Sequence, residues 1–168
     1  MTNPHLSTYL NDHLAGSIVA IGLMEKLESA YSGTEIESIV KSVRREVESD
    51  RAVLEQLIER IGTQSGTRKA AGWIAERFTE LKFGVDDGKD GTLRLLESAE
   101  VITLGIEGKR GLWRALAIAT DLVPELGGVN YTDLIARAES QRERMETIRL
   151  GAARAALGAK EDGSCLDN

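Results

Sequence analysis

The sequence has few of the residues that disulfides, histidine-rich metal sites and strands require. It contains one cysteine, two histidines and two prolines in 168 residues, and aromatic residues make up 4%. The single cysteine, Cys165, excludes a disulfide within the chain, and the two histidines exclude a histidine-rich metal site. Because the prolines are Pro4 and Pro124, no proline interrupts a helix between them. Sustained alternation of apolar and polar residues, typical of half-buried strands, is nearly absent.

The charge balance and the lack of long apolar runs exclude two classes of partner. Lys and Arg number 21 against 27 Asp and Glu, a formal net charge of −6, whereas a surface that binds phosphates needs a basic excess. The first long apolar region is free of formal charge only over the 12 residues 13–24, and a membrane span needs about 20. Residues 1–6 carry no targeting pattern. We therefore expect no nucleic acid partner, no membrane partner and a cytoplasmic location.

Apolar residues recur at spacings of three and four along most of the chain, which predicts five helices. Four are long and one is short, and they cover residues 6–31, 34–61, 68–83, 93–120 and 131–157. Thr34 with Glu37 forms a capping box, Gly62 ends the second helix, and Asn130 is an N-cap residue for the last. We expect a single domain over residues 1–158 and a flexible tail over residues 159–168.

The four long helices predict an all-α four-helix bundle. Each has roughly 25 to 28 residues and is therefore roughly 40 Å long. Short links make the first two long helices one antiparallel hairpin and the last two another. The roughly 30 residues between the hairpins, which include the short helix, can travel the length of the bundle. The second and third long helices would then be parallel, which is the ferritin-like arrangement.

Residues 45–62, REVESDRAVLEQLIERIG, resemble the corresponding segment of bacterial ferritin-like stress proteins of the YciE type. The resemblance implies a ferritin-like bundle and a stress-related role. Di-metal members of that superfamily use Glu residues and Glu-x-x-His pairs as ligands. This chain has no Glu-x-x-His, has Asp50 where the stress proteins have His, and has Ile21 where they have a ligand Glu. The missing motif argues against ferroxidase or oxygenase activity.

Each long helix nevertheless places a polar residue in or beside its apolar stripe. One interpretation is a buried network in which arginines neutralise the acids, because an isolated buried charge is costly. A second is a carboxylate-rich site for Fe, Mn or Zn, formed by Asp50, Glu46, Glu100 and Glu107 with His13. A third is an apolar ligand pocket capped by His13 and Gln141. We favour the network.

Two glycine-containing segments suggest further sites. Residues 86–97 match a calcium-binding loop at several positions, but Gly88 supplies no side-chain oxygen at the third, which argues against calcium. Gly105, Gly108 and Gly111 recur every three residues, and we expect them to allow a neighbouring helix to approach closely. Lys109 and Arg110 lie among these glycines. One interpretation of these two cations is an anion site, but we favour a solvated face.

From these observations we expect a non-catalytic ferritin-like bundle with a stress-related, structural or binding role. We also expect a homodimer, formed through the second apolar side of the helix over residues 93–120 or through Trp73 and Phe78. The alternative is a metal-binding protein or an enzyme that uses the carboxylate-rich site.

Overall fold

A computed structural model describes residues 4–62 and 91–158. These residues form four long helices, α1 (Pro4–Ala30), α2 (Glu35–Ile61), α3 (Thr92–Ala119) and α4 (Tyr131–Gly158), with a short 3-10 helix (Pro124–Leu126) between α3 and α4. The predicted helix over residues 68–83, residues 86–90 of the calcium-like segment and the predicted tail lie outside the described residues. No helix in the described ranges is both long enough and apolar enough to cross a membrane.

The helix ends follow the predicted capping residues. Thr34 is the N-cap of α2, and its side chain accepts a hydrogen bond from the Glu37 backbone N–H at 3.4 Å. Glu37 Oε2 in turn accepts from the Gly33 N–H at 2.7 Å, one residue before the cap. Gly62 ends α2 with φ = 70°, a left-handed conformation that suits glycine. Asn130 Oδ1 accepts a backbone N–H of the first turn of α4 at 3.2 Å.

Two clusters of buried apolar side chains show how the helices run. One cluster joins the C-terminal part of α1, the N-terminal halves of α2 and α3, and the C-terminal part of α4. The other joins the opposite ends of the same helices. Each helix is therefore antiparallel to its two packing neighbours, while α2 and α3 lie diagonally opposite and run parallel, as predicted. The predicted all-α four-helix bundle is confirmed.

The packing around α3 is uneven. This helix packs much more closely against α4 than against α1. At one end of the bundle the Tyr31 hydroxyl, just after α1, donates to the Gly91 carbonyl, just before α3, at 3.2 Å. Between the two apolar clusters, the stripes of α2 and α4 carry Asp50 and Gln141, both fully buried. The middle of the bundle is therefore its polar layer, and α3 meets α1 there across a loosely packed interface.

Candidate functional site

Asp50 is the centre of a buried polar cluster that α2, α3 and α4 form together. Its side chain is 0% exposed, and its Oδ2 accepts a hydrogen bond from Lys109 Nζ at 2.5 Å. The same oxygen lies 3.3 Å from Gln141 Nε2, which donates to it. Its Oδ1 lies 2.5 Å from Arg137 Nη2, an ion pair whose angles are not those of a hydrogen bond. One buried carboxylate therefore has two cationic partners and an amide donor.

Gln141 connects the cations of this cluster to a second carboxylate. Its Oε1 accepts from Lys109 Nζ at 2.5 Å, and its Nε2 also donates to Glu46 Oε2 at 3.1 Å. Lys109 therefore uses two of its three N–H groups, on Asp50 and Gln141. Burial lowers the pKa of Lys109 below its ordinary value, and the charge of Asp50 opposes this shift.

Glu46 forms the solvent-facing end of the cluster. It accepts from Arg144 Nη2 at 2.5 Å in addition to its bond with Gln141. Burial acts to raise the pKa of Glu46, but the hydrogen bonds from Arg144 and Gln141 and the nearby positive charges hold it below the ordinary value. The carboxylate is therefore ionised at neutral pH and paired.

The other predicted carboxylates lie away from this cluster. Glu100 and Glu107 are about half exposed. Each pairs with an arginine, Glu107 with Arg110 at 2.7 Å and Glu100 with Arg149 at 3.4 Å. Within residues 4–62 and 91–158, no group of three or more His, Cys, Asp or Glu is placed to hold a metal ion. Of the four candidate acids, only the two on α2 join the buried network.

The cations of the network differ from those the sequence suggested. The sequence offers Arg44, Arg45, Arg51, Arg114, Arg142 and Arg144 as partners for the acids. Of these six, Arg144 joins the network, on Glu46. Lys109 is 14% exposed and its ammonium contacts Asp50. The prediction that Lys109 lies on a solvated face is therefore wrong. The spacing carries the reason, because Lys109 lies three residues after buried Ile106 and four before buried Trp113.

Arg137 is the other cation that sequence reasoning missed. It lies three residues after Leu134 and four before Gln141, both buried on the inner face of α4. The same spacing rule could therefore have placed it beside the core. Two cations on one buried carboxylate also leave little negative charge to attract a divalent metal at Asp50.

A cavity of about 710 Å³ opens beside the cluster, between α1 and α3, with α2 as its floor. Its lining is mainly apolar and includes Met24 and Leu112. Small residues of the two facing helices also line it: Gly16, Ser17 and Ala20 on α1, and Gly105 and Gly108 on α3. The cavity thus lies where α1 and α3 pack loosely.

The glycines of α3 leave space beside the other described helices. A Cβ atom built at Gly105, Gly108 or Gly111 would meet no atom of residues 4–62 and 91–158 within 4 Å. The prediction that these glycines permit close approach of a neighbouring helix is therefore wrong for the helices in these ranges. Gly105 and Gly108 line the cavity, so their missing side chains enlarge it.

Few polar groups reach the cavity wall. Lys109 and Trp113, one turn apart on α3, both line it, as does Asp50. Trp113 is fully buried, and its Nε1 has no hydrogen-bond acceptor within residues 4–62 and 91–158. His13 lines the cavity as well, with its ring edge-on to Tyr9 at 4.8 Å between centroids.

The two residues predicted to cap a pocket have different positions. Burial lowers the pKa of His13, with the charge of Asp12 acting in the opposite direction, so the imidazole in the cavity wall is neutral at pH 7. Gln141 lies behind Asp50 and does not line the cavity. Its contribution is to hold Lys109 and Asp50 in place from the α4 side.

No family model, curated protein or solved structure matches this chain. The chemistry of the site is therefore deduced from its own residues. Ligand pockets typically occupy about 300–1,000 Å³ and are mainly apolar, with a few polar groups that orient the ligand. The cavity between α1 and α3 fits this description in volume, in lining and in the position of Lys109, Asp50 and Trp113.

Proposed function

We propose that this protein is a helical bundle that binds a small, mainly apolar molecule in the cavity between α1 and α3. The cavity itself is the main support for this function. The space opens to solvent, since its lining includes the exposed residues Leu104, Gly105 and Gly108. An unfilled apolar groove of about 710 Å³ leaves apolar side chains in contact with water, and a bound ligand would cover them.

The helical glycines support the same proposal. A glycine inside a helix is less favourable than alanine by about 1 kcal/mol. Gly105 and Gly108 gain no close contact with another described helix in return, and larger residues there would occupy the cavity. Glycine at these two positions is explained if the protein uses the space of the cavity to bind a ligand.

A ferritin-like origin and a homodimer remain parts of the proposal. The parallel α2 and α3, joined through residues 63–90, support the ferritin-like resemblance. Ile118 and Leu122, at the end of α3 and just after it, are 79% and 86% exposed, which supports a dimer that uses this side of the helix. The mass of the protein in solution tests the dimer. The role we propose is binding, with no catalytic step.

A glycine substitution tests the binding function directly. Gly108→Leu would place a side chain in the cavity, and we expect it to weaken binding of the neutral fluorophore N-phenylnaphthylamine by at least about tenfold, since several apolar contacts would be displaced. Gly151→Leu is the matched control, because Gly151 is an exposed glycine of α4 that does not line the cavity. Native mass spectrometry of the same proteins would show whether any small molecule purifies with them.

The expected result is binding to the wild type and Gly151→Leu and loss in Gly108→Leu. Both variants add the same side chain to a helical glycine, so a general effect on the helix would appear in both. Equal binding to all three proteins would place the fluorophore elsewhere. No binding to the wild type, with no molecule carried through purification, would overturn the proposed function.

A further inference from the structure

The buried cluster beside the cavity has three cations and two carboxylates. Asp50 supplies the one carboxylate that faces both Lys109 and Arg137, while Glu46 is paired with Arg144. Arg137 is 35% exposed and can share its charge with solvent, but Lys109 is only 14% exposed. Because Asp50 is shared by two cations, it does not fully neutralise Lys109, which lines the cavity with little solvent around it.

Two hydrogen-bond donors at this wall have no acceptor among the described residues. The Lys109 ammonium has three N–H groups and uses two, on Asp50 and Gln141. Trp113 Nε1, one turn further along α3, is buried and unpaired. A buried donor left without an acceptor destabilises the folded protein, which is why such groups are rare in native proteins.

We propose that the ligand of this cavity is an apolar monocarboxylate whose carboxylate accepts hydrogen bonds from Lys109 Nζ and Trp113 Nε1. This inference rests on the proposed binding function and names the ligand class. A carboxylate supplies both missing acceptors and the missing negative charge at once. The apolar lining toward Met24 then receives a hydrocarbon portion.

Other head groups fit this wall less well. An ammonium would face Lys109 and bring no acceptor for Trp113. An alcohol could accept one hydrogen bond, but it would leave the positive charge unbalanced. The remaining charged residues in the lining do not change this balance, because Arg51 pairs with Glu55 at 2.9 Å and Asp12 is exposed.

Matched ligands separate the head group from the chain. Octanoate and decanoate would be compared with octanol and decanol by calorimetry on the full-length protein at neutral pH. We expect each carboxylate to bind roughly tenfold or more tightly than its alcohol, the size of effect that a hydrogen bond to a charged group gives. The indole N–H resonance of Trp113, distinguished from that of Trp73 with Trp73→Phe, should move when decanoate binds and much less with decanol.

Two variants test the individual donors. Trp113→Phe removes one donor and should weaken decanoate binding roughly two- to tenfold. Lys109→Met removes the charge while Asp50 keeps Arg137 and Gln141, and it should weaken decanoate binding roughly tenfold or more. Binding of decanol to the same variants is the control for an intact cavity and should be unchanged.

The possible outcomes distinguish the carboxylate inference from the proposed binding function. If decanol binds the wild type as tightly as decanoate does, the carboxylate inference is overturned and the binding function stands. The same holds if both variants weaken decanoate and decanol equally. If neither decanoate nor decanol binds the wild type, and Gly108→Leu does not change the binding of N-phenylnaphthylamine, both the carboxylate inference and the binding function are overturned.

Discussion

Asp50→Ala should destabilise the protein more than any other single change in the polar layer. The Lys109 side chain is only 14% exposed. Without Asp50, its ammonium keeps only Gln141 as an acceptor. Arg137 is 35% exposed and can turn toward water, so most of the loss falls on Lys109. Removing one partner of a buried ion pair typically costs about 3–5 kcal/mol. We expect the lower part of that range, because Lys109 can release its proton.

Urea unfolding followed by circular dichroism measures this loss, and a double-mutant cycle identifies its origin. Lys109→Met alone leaves Asp50 with Arg137 and Gln141, and we expect a smaller loss. The double variant removes both charges, so its loss should be smaller than the sum of the two single losses by at least about 1 kcal/mol. Additive losses, or a loss below about 1 kcal/mol for Asp50→Ala, would refute the buried pair.

The pH dependence gives a second test of the same pair. Burial sets the pKa of Lys109 in the folded state below that in the unfolded chain, about 10.4. Between these two pKa values the unfolded chain binds more protons, so the stability contributed through Lys109 rises with pH. Asp50 opposes the lowered pKa, and its removal should widen this interval. Stability of Asp50→Ala should therefore rise more with alkaline pH than that of the wild type, and parallel profiles would count against the pair.

The remaining predictions concern single residues. Gly111→Ala should raise the free energy of unfolding by about 0.5–1 kcal/mol, because this helical position has open space for a Cβ. Gly33→Ala should lower the free energy of unfolding, because φ is 79° at Gly33 and alanine is strained in that conformation. Urea midpoints measure both, and a destabilised Gly111→Ala would show that this side of α3 is covered. Burial disfavours charged His13, so the stability it contributes is present above pH about 6.5 and is lost as pH falls below that value. The loss between pH about 7.5 and about 5 should be smaller in His13→Phe, and an equal loss would contradict the assignment.

The helices could be predicted from sequence because each one buries a continuous stripe and has an identifiable end. Thr34 and Gly62 are caps whose chemistry is local, so no tertiary information was needed to place them. The parallel direction of α2 and α3 followed from chain lengths alone. The short helix predicted over residues 68–83 lies outside the described residues and stays a prediction.

The candidate site could be predicted only in part. Asp50 and Gln141 were recognisable because a polar residue that interrupts an apolar stripe must find a partner. Lys109 and Arg137 were missed because long cationic side chains usually extend to solvent, and only the fold shows which of them turn inward. The cavity was not predictable, because a glycine that admits a neighbouring helix and a glycine that leaves a space have the same appearance in sequence.

The polar layer also fixes the alignment of the helices along the bundle axis. Leucine, isoleucine and valine stripes can slide past one another by a turn, about 5.4 Å, and still meet apolar partners. Asp50, Lys109 and Gln141 meet at one alignment of α2, α3 and α4, and a slip of one turn would bury the carboxylate without its cation. Helix α1 contributes no side chain to this lock. It is held to α2 by a separate ion pair, between Glu28 and Arg44 at 2.5 Å, and its distance from α3 sets the width of the cavity.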